Sequence, residues 1–357
     1  MIDETKLKNF LLKKYYRDLF KKRGLKSATF EILNSCNFKC VHCYNQNLKP
    51  CIMNKELAFR IIDELVDMGC ESVTLTGGET TLHPDFVAIY KYCHDKGLKI
   101  KLFTNGYFLN KYFDILRAFP PDQIEISIYG VSDDTYLRVC QIKNGFTIVD
   151  KNIRECKRLG LNLRLKSVIM QQNYEDFDEM LAYCQSLELP FRFDINVLNS
   201  KDFSNNQEKN KLLPDEYELI MNKVRKIRTG NWISYLTREN MQSDGEYLYS
   251  CGAGRISLFV NCLGGVRMCN FAEFTEENVS DKSIKEIWQG FEKYLNLPKD
   301  KESECYTCKY KKFCSNCPVV TYMEHRTDGT KILPVAQNCR EAKFIYESVK
   351  NDKQTRD

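Results

Sequence analysis

The stretch Cys36-Asn-Phe-Lys-Cys40-Val-His-Cys43-Tyr44 holds three cysteines, separated by three residues and then by two. It follows residues 28–34, whose apolar and β-branched composition predicts a strand that runs into a cysteine-bearing loop. Three thiolates cannot fill the four ligand positions of a tetrahedral zinc site. They can bind three irons of a four-iron cluster and leave the fourth iron open to another ligand.

Six strand patterns alternate with helical patterns around this loop. The predicted strands cover residues 28–34, 72–76, 98–104, 123–129, 161–169 and 191–197. This alternation predicts an α/β fold with a parallel sheet and right-handed crossovers. A span of about 170 residues is too short for an eight-unit barrel of about 250, so we predict a partial (β/α)6 TIM-like barrel. Its ligands should bind at the carboxyl ends of the strands, where the cysteine loop lies.

Composition and charge bound the classes of protein that the chain can represent. The N-terminal segment is rich in lysine and lacks a continuous apolar run before a cleavage site, so we expect no signal peptide. No apolar run approaches the ~20 residues that span a bilayer. A net charge of +5 over 357 residues is diffuse and does not predict nucleic-acid binding. We therefore expect a cytoplasmic protein with no nucleic-acid or membrane partner.

The cysteine content is unusual for such a protein. The chain has 17 cysteines, an odd number, and clustered cysteines in a reducing compartment are typical of metal sites. Eight of them follow residue 250, among short strand patterns and glycines: Cys251, Cys262, Cys269, Cys305, Cys308, Cys314, Cys317 and Cys339. The run from Cys305 to Cys317 alone would predict a zinc ribbon, but that leaves Cys251, Cys269 and Cys339 unexplained.

Six further cysteines are scattered, and for each we expect a buried thiol in the core. They are Cys51, Cys70, Cys93, Cys140, Cys156 and Cys184. Together these patterns predict four regions. They are an N-terminal helical extension (1–27), the partial barrel (28–198), a polar linker or bridging region (199–250), and a C-terminal cysteine-rich α+β iron–sulfur module (251–357), called the second module below.

The triplet, followed by Gly77-Gly78-Glu79 after the second strand, resembles the radical S-adenosylmethionine (SAM) superfamily. In that family the open iron of a [4Fe–4S] cluster binds the amino and carboxylate groups of SAM. One electron then cleaves SAM to methionine and a 5′-deoxyadenosyl radical. The resemblance implies the roles of cluster ligand for Cys36, Cys40 and Cys43, adenine contact for His42, and binding of the methionyl amino group for Gly77, Gly78 and Glu79.

Further SAM contacts are predicted at other strand ends. Thr104 and Asn105 follow the third strand, and Ser127 ends the fourth, where its hydroxyl can bond a ribose hydroxyl. Lys166 alternates with apolar residues on the fifth strand, which directs it either into the barrel, toward the SAM carboxylate or an acidic peptide, or toward solvent. Thr80 stands where the family usually has proline, so we expect a less rigid turn there.

The cysteines after residue 250 resemble the SPASM extension of radical SAM enzymes, which holds two auxiliary [4Fe–4S] clusters. The resemblance assigns one cluster to Cys305, Cys308, Cys314 and Cys339, and an inner cluster to Cys251, Cys269 and Cys317. The family usually has three residues before the last cysteine of the four-cysteine run, and this chain has two. Cys262 is additional to the pattern. It is either the fourth ligand of the inner cluster or a buried free thiol, in which case that iron is open.

The resemblance implies an oxidative modification of a peptide, by a thioether or carbon–carbon crosslink or by side-chain oxidation. It also implies an external flavodoxin- or ferredoxin-like electron donor. Only about 35 residues precede Cys36, too few for a winged-helix leader-binding domain, so we expect a separate recognition protein or another surface to bind a leader peptide.

Four alternatives stay open. One is sulfatase-maturase-like formylglycine formation with Asp194 or Tyr129 as base. Others are decarboxylation of a tetrapyrrole-like substrate, and epimerisation with Cys140 or Cys156 as hydrogen donor. The last is a non-enzymatic iron–sulfur electron carrier or redox sensor, which tight SAM binding would exclude.

Overall fold

The structure is a computed structural model that describes residues 22–203, 207–227 and 246–354. Within these residues nine strands form one sheet, in the order β6-β5-β4-β3-β2-β1-β7-β8-β9. The strands are β1 Ser27–Leu33, β2 Ser72–Gly77, β3 Lys99–Thr104, β4 Gln123–Ser127, β5 Leu163–Val168, β6 Phe191–Asp194, β7 Ser257–Val260, β8 Gly265–Arg267 and β9 Glu277–Asn278.

The first six strands form the parallel, open barrel that the sequence predicts, and the fold class is confirmed. The crossover helices are Lys55–Asp67, Phe86–Asp95, Phe113–Ala118, Asp133–Cys140, Gly145–Arg158 and Phe177–Ser186. Apolar side chains of strands and helices form one core, which includes Phe30, Ile32, Leu75, Ile126, Ile61 and Ile153. The carboxyl ends of the strands therefore lie together at one edge of the barrel.

The first crossover helix illustrates how local sequence sets these elements. The side-chain oxygen of Asn54 accepts a hydrogen bond of 2.7 Å from the Leu57 backbone N–H, which caps the helix. Ala58, Ile61, Ile62 and Leu65 recur at helical spacing and are buried. Gly69, at φ +84°, then reverses the chain into β2, in a conformation that favours glycine.

The second module continues the barrel sheet, which the sequence does not predict. β7 pairs in parallel with β1, from Ser27 opposite Ser257 to Phe30 opposite Val260. β8 and β9 then add antiparallel strands. The helices of this part of the chain are Ile284–Gly290, Glu292–Leu295, Glu304–Thr307, Pro318–His325 and Ala336–Gln354, preceded by Pro214–Ile227 in the bridging region.

The described part of the bridging region is packed rather than free. Ser200, Lys201, Gln207 and Asn210 are buried although each is polar. Asn210 donates to the Val41 backbone oxygen at 2.9 Å, which ties this segment to the cysteine loop. Of the two predicted roles, linker and bridging region, these contacts favour a bridging role for the described residues, because buried polar groups find partners inside the protein.

The predicted N-terminal extension lies largely outside the described residues, which begin at Lys22. Arg23 lies against the second module: its guanidinium donates to the Trp288 backbone oxygen at 2.5 Å and lies 3.6 Å from the Glu292 carboxylate. Among the described helices, none has the length and apolar character needed to cross a bilayer.

Candidate active site

The cysteine loop after β1 forms one wall of a cavity of about 810 Å³ at the carboxyl ends of the strands. Cys36, Cys40 and Cys43 all line this cavity. The loop is fixed to the end of the helix Asp133–Cys140, because the Lys39 and Val41 backbone N–H groups donate to that helix at 2.9 Å each. The structure thus brings the three predicted ligands to one site.

The surroundings of the triplet raise the pKa of two of its thiols, Cys36 and Cys43. Burial, followed by smaller contributions from Cys40 and Glu79, raises the pKa of Cys36 to about 12. Burial and the neighbouring Cys40 raise the pKa of Cys43 to about 11. Three thiolates here would repel one another in a site of low polarity, so their ionisation requires a compensating cation. An iron–sulfur cluster supplies that positive charge, and the donor set fits it.

The two glycines after β2 are required by the chain itself. A side chain at Gly78 would come within 2.3 Å of the Ser35 backbone oxygen, and one at Gly77 equally close to that of Leu33. Glycine therefore lets β2 approach the backbone that leads into the cysteine loop. Both glycines also line the cavity, so their backbone groups are available to a ligand.

Glu79 is directed into the protein and does not line the cavity. One oxygen accepts hydrogen bonds from the Thr81 N–H (3.0 Å) and hydroxyl (2.6 Å) and from the Thr104 hydroxyl (2.7 Å), and the other accepts one from the Asn105 N–H (2.7 Å). Burial raises the pKa of this carboxyl, while these bonds lower it. The carboxylate thus joins the ends of β2 and β3. Its contact with the SAM amino group stays a prediction.

Thr80 replaces the family's proline without loosening the turn. Its side chain is fully buried, and its hydroxyl donates to the Phe103 backbone oxygen at 3.0 Å. Thr80 begins a short 3₁₀ turn over Thr80–Leu82 that the Glu79 side chain caps. The expectation of a less rigid turn therefore does not hold, since a hydrogen bond replaces the ring.

Thr104 and Asn105 line the cavity at the end of β3. The Asn105 amide donates to the Asn37 side chain at 2.9 Å and lies 3.8 Å from Cys36 Sγ. At this distance the amide N–H is a weak hydrogen-bond donor toward the Cys36 sulfur. Hydrogen bonds to the sulfurs of a cluster are one means by which a protein adjusts its reduction potential.

His42 lines the same cavity beside Tyr129, with ring centroids 5.2 Å apart. Burial lowers the pKa of His42 to about 4, so the ring is neutral near pH 7. His42 Nδ1 is buried and has no hydrogen-bond partner among the residues that the structure describes, which suits a ring that stacks on or bonds to a bound ligand. Ser127 also lines the cavity, next to Tyr129.

Lys166 points into the cavity, which decides between the two orientations left open by the sequence. Its ammonium lies 3.2 Å from the buried carboxylate of Glu125 and 3.8 Å from the centre of the Phe103 ring. Burial lowers the pKa of Lys166, while Glu125 raises it. Arg192 lines the cavity as well, and the carboxylates of Glu125 and Asp194 balance the two cations on this side.

A second cavity, of about 510 Å³, lies in the second module. It is lined by seven of the eight cysteines after residue 250: Cys251, Cys269, Cys305, Cys308, Cys314, Cys317 and Cys339. These thiols form two groups. Burial, then Cys314, Cys339 and Cys308, raise the pKa of Cys305 to about 11. Burial, then Cys317 and Cys251, raise the pKa of Cys269 to about 12.

The cysteines that raise the pKa of Cys305 and of Cys269 belong to the same two ligand sets that the resemblance implies. Cys317 also caps the helix Pro318–His325, where its sulfur accepts from the Val320 N–H at 3.5 Å. A helix N-terminus favours a thiolate. Among the described residues, no three His, Cys, Asp or Glu side chains have the geometry of a single-ion site. A cluster places its cysteines on different irons, so that geometry is not the one it requires.

Cys262 lies apart from both groups. It does not line the second cavity; its thiol lies 4.0 Å from the Glu31 carboxylate, and the neighbouring Cys51 contributes to raising its pKa. The prediction that Cys262 is a metal ligand therefore needs correction, because it follows β7 along the edge of the barrel. The alternative of a buried free thiol agrees with its position.

The sequence patterns do not predict a buried polar network that lies beside Cys43. The Lys201 ammonium lies 3.9 Å from the Glu31 carboxylate and donates to the Asn270 side chain at 2.7 Å. The Lys201 N–H donates to the Tyr44 backbone oxygen at 2.9 Å. Since Asn270 follows Cys269, this network joins the two cysteine sites. One feature of the sequence could have indicated this network: Glu31 is the charged residue of β1, and a charged residue in a barrel strand needs a partner.

Comparisons with known proteins agree with this architecture. Residues 30–184 match the radical SAM superfamily, and residues 251–318 match the SPASM iron–sulfur cluster-binding domain. The AdoMet-dependent heme synthase of Methanosarcina barkeri is 22% identical over 320 residues, which cover 82% of this chain and 91% of the relative. Mycofactocin maturase MftC of Mycolicibacterium smegmatis is 25% identical over 310 residues, with 82% and 78% covered.

Among solved structures, Streptococcus suis SuiB bound to its precursor peptide SuiA superposes with a TM-score of 0.70 at 18% identity, covering 91% of this chain and 80% of that one. This likeness concerns the fold. The matched domains define the class: the chain contains a radical SAM domain over residues 30–184 and a SPASM domain over residues 251–318. These domains imply SAM and [4Fe–4S] clusters as cofactors, and the cysteines that line the two cavities fit such clusters.

Proposed function

We propose that this protein cleaves SAM in the cavity of the triplet and oxidatively modifies a peptide held in the same cavity. The product would be a thioether or carbon–carbon crosslink, or an oxidised side chain. The substrate then loses one hydrogen atom to the deoxyadenosyl group, and one electron and one proton to acceptors in the protein. An external flavodoxin- or ferredoxin-like donor would supply the electron for SAM cleavage.

The observation that carries this proposal is that the two cavities share a wall. Five residues line both of them: Asp194, Asn196, Val197, Leu198 and Phe271. A substrate bound over the triplet is thus separated from the cysteines of the second module by one layer of side chains. An oxidation that removes a second electron from the substrate requires an electron acceptor close to it, and a cluster in the second module would be such an acceptor.

When bound, the clusters would supply and accept single electrons, which is the chemistry of SAM cleavage and of substrate oxidation. The chain's own residues would bind SAM and the substrate, orient them and enclose them in the cavity. The Gly77 and Gly78 backbones and Asn105 border the triplet, while neutral His42 and Ser127 line the side where the family resemblance puts the adenosine. Asp194 accepts from the Asn196 N–H at 2.9 Å and lines both cavities, so it is the carboxylate best placed to accept a substrate proton.

The lining of the triplet cavity supports a peptide. Amide side chains border much of it: Asn34, Asn45, Gln46, Asn47, Asn105, Gln141 and Asn196. Several of these amides bond within the protein, as Asn34 does to Lys49 and Cys51 and Asn105 does to Asn37. The N–H and C=O groups of a peptide backbone would exchange with such bonds, because an amide both donates and accepts. The MftC relative carries the name of a maturase. A separate leader-binding protein remains part of this proposal.

Tetrapyrrole decarboxylation is the second candidate. Lys39, Lys166 and Arg192 line the triplet cavity, and cations there would bind the propionate groups of a tetrapyrrole. Two relatives from Methanosarcina barkeri carry the names AdoMet-dependent heme synthase and Fe-coproporphyrin III synthase. Because Glu125 already neutralises Lys166, fewer free cations remain for several carboxylates.

The test is an anaerobic assay of the reconstituted protein with SAM and a reductant. One arm contains a short peptide encoded beside this chain, and the other contains Fe-coproporphyrin III. The proposal predicts 5′-deoxyadenosine together with a peptide lighter by two hydrogen atoms. Release of carbon dioxide from the tetrapyrrole, with no change in the peptide, would favour the second candidate. Failure to bind SAM would leave an electron carrier and refute both.

The matched control replaces Cys36, Cys40 and Cys43 together by alanine. This variant keeps the second-module cysteines and should form no 5′-deoxyadenosine. Formation of 5′-deoxyadenosine by the variant would refute the role of the triplet.

A further inference from the structure

We propose that Cys51 and Cys262 form a redox-active dithiol, separate from the cluster ligands, that closes to a disulfide between the barrel and the second module. The two residues are 211 positions apart in the sequence and belong to different regions of the chain. The proposal does not depend on the substrate or on the reaction proposed above.

The backbone brings the two residues together at one edge of β1. β7 pairs with this edge as far as Val260, opposite Phe30. Beyond that point the segment after the cysteine loop takes over: the Met53 N–H donates to the Ile32 oxygen at 2.9 Å, and Asn34 N–H to the Cys51 oxygen at 3.1 Å. The end of β7 and residues 51–53 therefore meet where β1 changes its partner.

Both thiols are held in place at this junction. The Cys51 N–H donates to the Asn34 side chain at 2.7 Å, which fixes the backbone of Cys51. Cys262 lies in a turn that Asn261 closes, since the Asn261 side-chain oxygen accepts from the N–H groups of Leu263 and Gly265 at 2.9 and 2.8 Å. Each thiol influences the pKa of the other, so the two side chains are neighbours at this junction.

Access favours Cys51 as the thiol that reacts first. Cys51 is partly exposed, whereas Cys262 is 5% exposed. The neighbouring Ile52 and Leu263 are 53% and 69% exposed, so a small molecule can reach this junction from solvent. The other scattered cysteines, such as Cys140 and Cys156, are fully buried, and core packing accounts for them.

The chemistry is thiol–disulfide exchange with a low-molecular-weight disulfide, the oxidant class that intracellular redox-sensing thiols meet. The Cys51 sulfur attacks the disulfide and releases one thiol, which leaves a mixed disulfide on Cys51. The Cys262 sulfur then attacks the Cys51 sulfur and releases the second thiol. Glu31, 4.0 Å from Cys262 Sγ, is placed to take the Cys262 proton before it passes to the released thiolate. The protein loses two hydrogen atoms, and the oxidant gains them.

The experiment treats the anaerobic, cluster-loaded protein with glutathione disulfide, quenches free thiols by alkylation, and analyses the digest by mass spectrometry. We expect one new crosslink, between the peptides that contain Cys51 and Cys262, and its loss after dithiothreitol. The visible absorbance of the clusters should stay unchanged. A stable glutathione adduct on Cys51 of the wild-type protein, or alkylation of both thiols, would overturn the proposal.

Single variants separate the two roles. Cys262→Ser lacks the second thiol and should retain one glutathione on Cys51, whereas Cys51→Ser should retain none. The control Cys156→Ser removes a fully buried thiol of the barrel and should crosslink like the wild type. Equal glutathionylation of Cys51→Ser and Cys262→Ser would contradict the assignment of Cys51 as the first nucleophile. The wild-type crosslink decides the pairing even if a variant fails to fold.

Discussion

Lys201 offers the sharpest test of how the barrel and the second module are joined. Its ammonium lies 3.9 Å from the Glu31 carboxylate, and the two side chains are 3% and 6% exposed. At an effective dielectric constant of about 20, two unit charges at this distance attract by about 4 kcal/mol. Removing one partner of a buried pair leaves the other charge unpaired, which typically costs about 3–5 kcal/mol.

We therefore expect Lys201→Met to destabilise the protein by about 3 kcal/mol near pH 8. The value lies at the lower end of the range because Asn45 and Arg267 also favour the charged form of Glu31. In a thermal scan of the cluster-loaded protein, this loss should lower the midpoint by about 4 °C. The double variant Glu31→Gln/Lys201→Met removes both charges and should recover most of the loss.

The pH dependence has a definite sign. Burial raises the pKa of Glu31, so the folded state holds the proton more tightly than the unfolded state does. The stability that protonation of Glu31 contributes is present at low pH and is lost as pH rises through the raised pKa. Without Lys201 that pKa rises further, so the deficit of Lys201→Met should shrink as pH falls from 8 toward 5.

The matched control is Lys223→Met, which breaks a 2.7 Å pair with the largely exposed Asp178. Exposed pairs contribute about 0–1 kcal/mol, so this variant should melt close to the wild type. Equal midpoint losses for Lys201→Met and Lys223→Met, or a Lys201→Met deficit that does not depend on pH, would refute the reasoning.

Three further predictions concern the two cysteine sites. Glu79→Gln should weaken SAM binding and lower the thermal midpoint together, because an amide cannot accept hydrogen bonds from both Thr104 and Asn105; a loss of SAM affinity at unchanged stability, measured by titration and melting, would instead indicate direct contact with the SAM amine. Cys140→Ala should keep 5′-deoxyadenosine formation and any substrate turnover in a product assay, since Cys140 is fully buried beside Cys40 and does not line the cavity; loss of product alone would restore the hydrogen-donor role. The reconstituted wild type should contain about twelve irons by chemical analysis and Cys305→Ala fewer, given three groups of cysteines; a count near four would remove the auxiliary clusters from the account.

The sequence predicts those features that local patterns determine. The six barrel strands follow from short apolar runs between helical patterns, and the triplet and Gly77-Gly78 fall at strand ends because of that alternation. The grouping of Cys305 with Cys308, Cys314 and Cys339 followed from family resemblance, and the structure brings these thiols together. The strand and loop predictions do not depend on contacts between distant segments, whereas the grouping of Cys305 with Cys339 came from the resemblance.

Long-range pairing could not be predicted in the same way. Nothing local in Ser257–Val260 indicates that it pairs with β1 rather than within the second module. The polar residues 199–203 were interpreted as a linker or bridging region because composition does not reveal that Lys201 and Ser200 find buried partners. The direction of the Glu79 carboxylate depends on hydroxyl and N–H donors at the end of β3, which the motif itself does not specify.

The central claim is that the triplet holds a cluster whose open iron binds SAM, next to further clusters in the second module. Electron paramagnetic resonance of the reduced protein, with and without SAM, tests it most directly. We expect a signal that SAM alters in the wild type. In the variant with alanine at Cys36, Cys40 and Cys43, we expect the remaining signals to be unaffected by SAM. A wild-type spectrum indifferent to SAM, or a triplet variant whose spectrum still responds to it, would contradict the account.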